Sequence, residues 1–193
     1  MAVDRTAAMQ MLRARLRDEL VIGGIGIASY DLFLAGDRPE NFYTWGAMGT
    51  PASIGLGLAL CAPQKRVIVL DGDGSLLMNL GTLCTIANKA PKNLVHIVWN
   101  NQAYGITGGQ AISMGTRVRA IGAACGIANA LEVNTLAEWE ALLPKLLGED
   151  GPWLVEVHSE RTPRRKNPRQ ALQDRYLQKD AFIAAARQGS RWT

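Results

Sequence analysis

The sequence is poor in several residue types, and each shortage excludes a class of protein. Three of its 193 residues are cysteine and two are histidine, so neither a small disulfide-stabilised domain nor a zinc site of Cys and His ligands is expected. No apolar run approaches the roughly 20 residues that a membrane-spanning helix requires. The first residues lack the apolar segment of a signal peptide. We therefore predict a cytoplasmic protein that makes no contact with a membrane.

The few cysteines and histidines show no pattern of a reactive site. Cys61, Cys84 and Cys125 lie far apart in apolar stretches with helical spacing, which favours reduced packing residues over disulfides or metal ligands. His96 falls inside a predicted strand and His158 at the end of another, and neither has a Ser, Cys or Asp in a triad pattern. A structural role is the simpler interpretation for both histidines.

Positive charge is concentrated at one end of the chain. Residues 1–159 contain 12 Lys and Arg against 14 Asp and Glu, whereas residues 160–193 contain 9 against 3. The segment 161–169 is broken by two prolines and lacks aromatic residues, so a solvated linker or a docking arm for an acidic partner is favoured over nucleic-acid binding. We divide the chain into a domain of residues 1–159 and a basic linker with a C-terminal helix at 160–193.

Hydrophobic periodicity predicts helices that alternate with strands. The predicted strands are 21–22, 41–45, 66–70, 94–99 and 153–157, and the predicted helices are 7–20, 28–34, 51–60, 76–88, 117–125 and 135–147. This alternation predicts an α/β fold in which helices flank a doubly wound parallel sheet. The stretch 104–116, rich in Gly and Thr, is predicted to be a mobile connection.

Two polar motifs begin where buried strands end. Strand 66–70 leads into Gly72-Asp73-Gly74-Ser75, and strand 94–99 leads into Asn100-Asn101. Either motif alone is a common turn, but open parallel sheets bind ligands at the carboxyl ends of their strands, where both would lie. A carboxylate and an amide oxygen suit Mg²⁺ or Ca²⁺, and the N-terminus of the following helix suits phosphate. Together they predict a metal-diphosphate site.

With these motifs the sequence resembles the thiamine-diphosphate enzymes, whose cofactor signature is Gly-Asp-Gly followed at a distance by Asn-Asn. Segments 48–60, 69–83 and 104–110 look more narrowly like the beta subunits of sulfopyruvate decarboxylases. The C-terminal half of the phosphonopyruvate decarboxylases is similarly close. The resemblance covers residues 20–159 and implies the diphosphate-binding domain of the thiamine-diphosphate-binding fold.

The resemblance also implies roles for individual residues. Asp73, Asn101 and the backbone carbonyl of Ala103 would bind Mg²⁺. Met48 would be the apolar wedge that bends thiamine diphosphate, and the carbonyl of Gly46 would accept a hydrogen bond from the cofactor's 4′-amino group. The further cofactor contacts that it implies are Gly26, Ile27, Ala28, Gly72, Gly74, Ser75, Tyr104, Gly105 and Ile106.

A partner chain is part of this prediction. Members of the family need a glutamate from a second, pyrimidine-binding domain, and the sequence has no segment left to form one. The resemblance therefore implies a separate alpha-type subunit that supplies the glutamate, in a hetero-oligomer such as α2β2 or larger. The implied substrate is a small 2-oxo acid.

Other functions stay open at this point. Ala111-Ile112 follows Gln110, where the two reference decarboxylases show Pro-Thr, so the sulfonate or phosphonate specificity is not decided. A carboligase subunit of the acetolactate synthase kind and a non-catalytic cofactor-binding or regulatory subunit are the alternatives. A nicotinamide-binding Rossmann protein is disfavoured because its Gly-x-Gly-x-x-Gly signature is missing.

Overall fold

The computed structural model describes residues 2–44, 46–112, 117–161 and 175–188. The helices in these ranges are α1 Arg5–Arg15, α2 Ile27–Gly36, α3 Pro51–Cys61, α4 Asp73–Leu77, α5 Gly81–Lys89, α6 Val118–Ala124, α7 Leu136–Gly148 and α8 Arg175–Arg187. The strands are β1 Leu20–Gly23, β2 Asn41–Tyr43, β3 Val67–Gly72, β4 Leu94–Asn100, β5 Ala103–Tyr104, β6 Gln110–Ala111, β7 Asn129–Val133 and β8 Trp153–His158. None of the helices described has both the length and the apolar character needed to cross a lipid bilayer.

Six strands form one parallel sheet in the order β2-β1-β3-β4-β8-β7. The chain leaves β1 for β2 on one side and returns to β3 on the other, so the direction of winding reverses between β1 and β3. Crevices at such a reversal are where doubly wound sheets bind ligands. The predicted fold class is therefore confirmed, and the topology marks the edge of the sheet where a site is expected.

Helices cover both faces of the sheet. One face packs against α1, α2 and α7, and the other against α3, α5, α6 and α8. Successive strand residues alternate between the two cores: Ile68 and Leu70 belong to the first, and Val67 and Val69 to the second. The sequence of a strand with an apolar layer on each side is a continuous hydrophobic run. For this reason β3 and β4 could be predicted from the sequence.

The helix predicted at 76–88 is two helices, α4 and α5, separated at Met78–Leu80. The backbone N–H of Met78 bonds the carbonyl of Ser75 at 3.1 Å, a tighter turn than α-helix allows. The break places Asn79 so that its side-chain amide donates to the carbonyl of Gly49 at 2.9 Å. The break is thus accompanied by a hydrogen bond to a residue distant in sequence. The helical periodicity of residues 76–88 did not predict this break.

Two other predicted elements differ from the structure, and one strand was not predicted. α1 ends at Arg15, whereas the predicted helix ended at Leu20. Leu20 instead begins strand β1, where it pairs with Val67 of β3. β7 was missed, since only two of its five residues are buried at the edge of the sheet. The connection at 104–116 was predicted to be mobile. Its described residues, 104–112, belong to the hairpin β5–β6, in which Tyr104 pairs with Gln110. Residues 113–116 of that connection lie outside the described residues.

The C-terminal helix α8 packs beside β2. Phe182 and Ala186 are buried in the core shared with α3 and α5, and the Phe182 ring lies 5.4 Å from that of Phe42. The apolar side of this helix is thus covered at Phe182, although Leu177 is exposed. The division between a domain of residues 1–159 and a linker at 160–193 stays a prediction, because residues 162–174 lie outside the described ranges.

Close packing of α3 on the sheet generates a test of the fold. A Cβ at Gly55 would lie 2.1 Å from Cγ2 of Val69, whereas a Cβ at Gly57, in the same helix, would meet nothing within 4 Å. Gly55→Ala should therefore lower the free energy of unfolding by about 1–3 kcal/mol through overpacking. Gly57→Ala should be neutral or raise it by up to about 1 kcal/mol through helix propensity. Chemical denaturation measures both, and equal effects would contradict this packing.

Candidate functional site

A cleft lies at the carboxyl ends of β1, β3 and β4, where the winding reverses. It is partly open to solvent. Its lining joins the loop after β1, the loop before α3, the start of α4 and the loop after β4: Ile25, Ala28, Met48, Gly72, Asp73, Gly74, Ser75, Trp99, Asn101, Ala103, Tyr104, Gly105, Ile106 and Thr107, with Arg5 from α1.

Strand register brings the two polar motifs together. Gly72 is paired with Trp99 across β3 and β4, so Asp73 emerges beside Asn100 and the loop that follows it. Asp73 is 2% exposed, and its carboxylate accepts the N–H of Gly74 at 2.7 Å and that of Gln102 at 2.6 Å. The second bond joins the two motifs directly.

The loop after β4 is held in an unusual conformation. Gln102 has a φ of +55°, in the left-handed region that residues other than glycine seldom adopt. Its N–H points at Asp73, and the side-chain oxygen of Asn101 accepts the N–H of Ala103 at 3.0 Å. Such backbone strain persists only where surrounding contacts stabilise it, and it clusters at functional sites.

Burial raises the pKa of Asp73, and the backbone N–H groups of Gly74 and Gln102 partly oppose that shift. Asp73 has no salt-bridge partner in the described part of the chain. A buried carboxylate without a counter-ion is costly, because burial favours the neutral form. A bound cation would supply the missing positive charge.

The oxygens around Asp73 fit a magnesium ion. The Asp73 carboxylate, the Asn101 amide and the Ala103 carbonyl are oxygen donors of the kind that Mg²⁺ takes. The oxygens of Asn101 and Ala103 each accept one backbone N–H, from Ala103 and Gly105. Since an oxygen of this type has two lone pairs, one hydrogen bond leaves a lone pair for a cation.

Met48 is placed in the cleft by its neighbour Gly49. The N–H of Gly49 donates to the hydroxyl of Ser75 at 3.0 Å, and its carbonyl accepts the amide of Asn79 at 2.9 Å. Gly49 has a φ of +75°, and a Cβ there would lie 3.1 Å from that of Met78. The turn therefore depends on glycine, and the loop carrying Met48 is bonded to α4 through Ser75 and to the α4–α5 break through Asn79.

The hairpin β5–β6 covers two glycines of the site. A Cβ at Gly74 would come within 2.5 Å of the Tyr104 ring, and one at Gly26 within 2.6 Å of the Ile106 side chain. Gly26 also has a φ of +80° at the start of α2. Both positions need glycine so that the hairpin can approach the helix starts closely.

Most of the predicted site residues meet at this cleft, and a few do not line it. The lining includes Ala28 and the predicted residues of both motifs and of the hairpin. Gly46 lies in an exposed turn next to Met48, and Gly26 contacts the cleft wall through Ile106. The backbone of Ile27 begins α2, and its side chain lies outside the described part of the structure.

Neither histidine enters the cleft lining. His96 is buried in β4, where its Nε2 lies 3.5 Å from Asp71, and His158 at the end of β8 lies 3.1 Å from Glu132. Both positions are consistent with the structural roles expected of these residues. Asp71 lies beside His96 rather than in the cleft lining, although it is only two residues before Asp73.

Glu156 is a residue that sequence reasoning missed. It is 1% exposed, and its carboxylate accepts the side-chain amide of Asn100 at 2.5 Å and the backbone N–H of Arg119 at 2.7 Å. The oxygen of Asn100 in turn accepts the N–H of Gln102 at 3.2 Å. Glu156 therefore joins the first turn of α6 to the loop that contacts Asp73. Its position inside a hydrophobic strand could have been read as a signal, because buried carboxylates are rare without partners.

Arg5 and Trp99 were also missed. Arg5, from α1, is buried in an ion pair with Asp31 at 2.6 Å and reaches the cleft wall. Trp99 lines the cleft as well, and its buried indole N–H has no hydrogen-bond partner in the described ranges. An unpaired buried donor costs free energy, so this N–H is available to a bound group.

The fold and the site define a class of protein: a doubly wound α/β domain with a cleft where the direction of winding reverses. The cleft offers oxygen ligands for a cation, and glycines stand at the starts of the neighbouring helices. Comparison with known proteins narrows that class. The sequence profile of the thiamine pyrophosphate enzyme C-terminal TPP binding domain matches residues 23–157. The chain belongs to this family of thiamine pyrophosphate enzymes.

Similar proteins carry two related names. A phosphonopyruvate decarboxylase of Streptomyces viridochromogenes is 43% identical over 79% of this chain, and the match covers 39% of the relative. The sulfopyruvate decarboxylase subunit beta of Methanocaldococcus jannaschii is 44% identical over 68% of this chain and 70% of the relative. The chain thus spans about two fifths of the length of the phosphonopyruvate decarboxylases it matches.

A solved structure supports the fold. The X-ray structure of a Mycobacterium smegmatis protein, described as a thiamin diphosphate-dependent enzyme, superimposes with a TM-score of 0.71. The superposition covers 83% of this chain and 32% of that one, at 24% sequence identity. Likeness at that identity bears on the fold alone.

Removing the charge of Glu156 tests its role as a positioning residue. In Glu156→Gln, one acceptor oxygen becomes an NH₂ group that faces the amide of Asn100 or the N–H of Arg119. The unsatisfied buried groups should lower the free energy of unfolding by about 1–3 kcal/mol. Amide hydrogen exchange at Gln102 and Ala103 should also become faster.

Glu132→Gln is the matched control, because Glu132 is an exposed carboxylate near the same strand end. It should leave both stability and exchange at the loop close to wild type. A similar loss of stability in both variants, with no faster exchange at Gln102, would show that Glu156 does not position the loop.

Proposed function

We propose that this chain is the diphosphate- and magnesium-binding subunit of a thiamine-diphosphate-dependent 2-oxoacid decarboxylase. The observation that carries the proposal is the meeting of Asp73, Asn101 and the Ala103 carbonyl in one cleft. Membership in the thiamine pyrophosphate enzyme family makes thiamine diphosphate the anion that such a site would hold. The proposed class is a carboxy-lyase.

In this proposal Asp73, Asn101 and the Ala103 carbonyl hold Mg²⁺, which neutralises the diphosphate of the cofactor. Ser75, at the start of α4, would donate its backbone N–H to a phosphate oxygen, because the first N–H groups of a helix have no intrahelical partner. The N–H of Gly74 already donates to the Asp73 carboxylate, and the diphosphate would share that donor. The loop after β1, from Gly26 to Ala28, would lie on the other side of the diphosphate.

When bound, thiamine diphosphate supplies the carbon nucleophile for the 2-oxo group and accepts the electron pair left by departing CO₂. The chain's own contribution is to hold the cofactor in a reactive shape. Met48 would press against it as an apolar wedge, and the Gly46 carbonyl would accept a hydrogen bond from its amino group. The double anchoring of Gly49 supports this role, because it limits where Met48 can lie.

Tyr104, Gly105 and Ile106 would close the cleft over the bound cofactor. Ile106 is 37% exposed beside the cleft and Met78, in the turn that packs on Gly49, is 58% exposed. Apolar side chains exposed around a cleft favour contact with a partner protein. We propose that this rim packs against a pyrimidine-binding, alpha-type subunit, whose glutamate would activate the cofactor.

The relatives named beta subunits support a divided enzyme. The Methanocaldococcus relative is named a beta subunit, whereas the phosphonopyruvate decarboxylases are much longer than the matched segment. We propose a hetero-oligomer such as α2β2 or larger, acting on a small 2-oxo acid with a sulfonate or phosphonate group. If the two subunits share the substrate pocket, residues of the partner would determine part of the substrate specificity.

The metal assignment is tested by removing one charge. Asp73→Asn keeps the size of the side chain but weakens its bond to Mg²⁺, so Mg²⁺-dependent binding of thiamine diphosphate should weaken by at least about tenfold. In the variant an NH₂ group replaces an oxygen that accepts the N–H of Gly74 or Gln102, which opposes the gain from removing a buried carboxylate whose pKa burial raises. The variant without ligand should therefore unfold close to the wild-type temperature. Titration calorimetry and thermal unfolding measure the two effects.

Asp150→Asn, at an exposed carboxylate that pairs with Lys92 on the surface, is the matched control and should bind like wild type. Unchanged binding by Asp73→Asn would remove the central support of the proposal.

The divided enzyme is tested by assay of CO₂ release. The purified chain should release negligible CO₂ from sulfopyruvate, phosphonopyruvate or pyruvate, because the activating glutamate is expected from the partner. Addition of the co-purified alpha-type subunit should raise the rate by orders of magnitude for the preferred acid. Robust turnover by the chain alone would contradict the need for a partner. CO₂ release with a carbon–carbon-coupled product in place of the aldehyde would point to a carboligase.

A further inference from the structure

Two cysteines that are distant in sequence are neighbours in the structure. The sulfur atoms of Cys84 in α5 and Cys125 at the end of α6 lie 3.3 Å apart, across 41 residues of sequence. Cys84 is exposed and Cys125 is partly exposed, and Cys61 in α3 is exposed as well. The prediction that the cysteines are packing residues is therefore wrong for Cys61 and Cys84.

Backbone geometry fixes the position of Cys125. It ends α6, and the next residue, Gly126, has a φ of +99°. The N–H of Ile127 then donates to the carbonyl of Gly122 at 3.0 Å. Glycine in the left-handed region with this backward hydrogen bond is a common helix ending, so Cys125 does not depend on Cys84 for its placement.

Core packing holds the two helices beside each other. Ala87 from α5 and Ile121 and Cys125 from α6 pack against the same hydrophobic core. A Cβ at Gly126 would lie 3.7 Å from that of Ala87, one turn along α5 from Cys84. The proximity of the two thiols thus follows from packed helices and not from two loops.

We propose that Cys84 and Cys125 form a reversible disulfide, which makes this pair an oxidation site on the face opposite α1, α2 and α7. A disulfide needs sulfurs about 2.05 Å apart, so the present contact requires the sulfurs to approach by roughly 1 Å, which side-chain rotation can supply. The proposal does not depend on the proposed decarboxylase function.

The oxidant is a peroxide, and the chemistry balances with the two thiols alone. The thiolate of Cys84 attacks one peroxide oxygen, so that an S–O bond forms and the O–O bond breaks; the hydroxide that leaves takes up the proton lost from the thiol and becomes water. The thiolate of Cys125 then attacks the sulfur of the resulting sulfenic acid, which forms the S–S bond and releases a second water. Two thiols are oxidised and one peroxide is reduced to two waters; a small dithiol reverses the reaction.

Cys84 is assigned the first step because it is the more exposed thiol. The hydrogen bond with Cys84 raises the pKa of Cys125, so a smaller fraction of Cys125 is thiolate than its ordinary pKa would give. The nucleophile is the thiolate, so this order favours attack by Cys84 and resolution by Cys125.

The bond would close a loop that contains β4, the loop after β4 and the hairpin. Because the sulfurs already touch, it should stabilise the fold without moving the cleft. Closing a loop of this length limits the unfolded chain, and we expect the oxidised form to melt about 5–10 °C higher than the reduced form.

The test is oxidation of the full chain with dilute hydrogen peroxide, followed by thiol counting after unfolding. The number of free thiols in the wild-type chain should fall from three to one. Non-reducing peptide mapping should find the Cys84 peptide joined to the Cys125 peptide. Dithiothreitol should restore all three thiols and the lower melting temperature.

Cys61→Ser is the matched control, because it removes the other exposed thiol and leaves the pair intact. It should lose both remaining thiols on oxidation and show the same rise in melting temperature as wild type. Cys84→Ser and Cys125→Ser should show no intramolecular bond and no such rise. The proposal is overturned by an unchanged thiol count, by linkage through Cys61, by cross-linked dimers as the main product, or by a rise in melting temperature that survives in Cys84→Ser.

Discussion

The hydrogen bond from the backbone N–H of Gln102 to the carboxylate of Asp73, at 2.6 Å, is the contact on which the candidate site depends. It joins the ends of β3 and β4, and it holds Gln102 in the left-handed conformation that turns Asn101 and Ala103 toward the cleft. The bond exists because the parallel register sets Gly72 opposite Trp99. A shift of that register by one residue would move Asp73 to the other face of the sheet.

Support for this contact comes from two sides. On one side, Glu156 holds Asn100 and the start of α6, so the loop after β4 is attached to the neighbouring strand β8. On the other, Ser75 and Asn79 hold both backbone groups of Gly49, which places Met48. Preorganised side chains of this kind lower the cost of arranging a site when a ligand arrives. The break between α4 and α5 thus serves the site, since it brings Asn79 to Gly49.

Patterns within short segments were sufficient for much of the fold. Apolar runs bounded by turn residues predicted five of the six strands of the sheet, and Thr135 with Glu138 forms a capping box at the start of α7, which was predicted as a helix at 135–147. Predictions were wrong where a distant contact overrides local preference. β7 is a half-exposed edge strand that exists through its pairing with β8, and the helix break at Met78–Leu80 accompanies a bond to Gly49. Proximity of Cys84 to Cys125 likewise depends on helix packing, which spacing in the sequence does not encode.

The sequence by itself determined the class of fold, the family resemblance and the two motifs, because hydrophobic period, glycine positions and residue chemistry are local properties of the chain. Only the tertiary structure decided which residues surround Asp73. Arg5 and Glu156 come from elements remote from both motifs in sequence, and they meet at the cleft or behind it because the order of the strands brings those elements together. A carboxylate's partners, its burial and the direction in which its pKa shifts are properties of that assembled surrounding, and no single segment contains them.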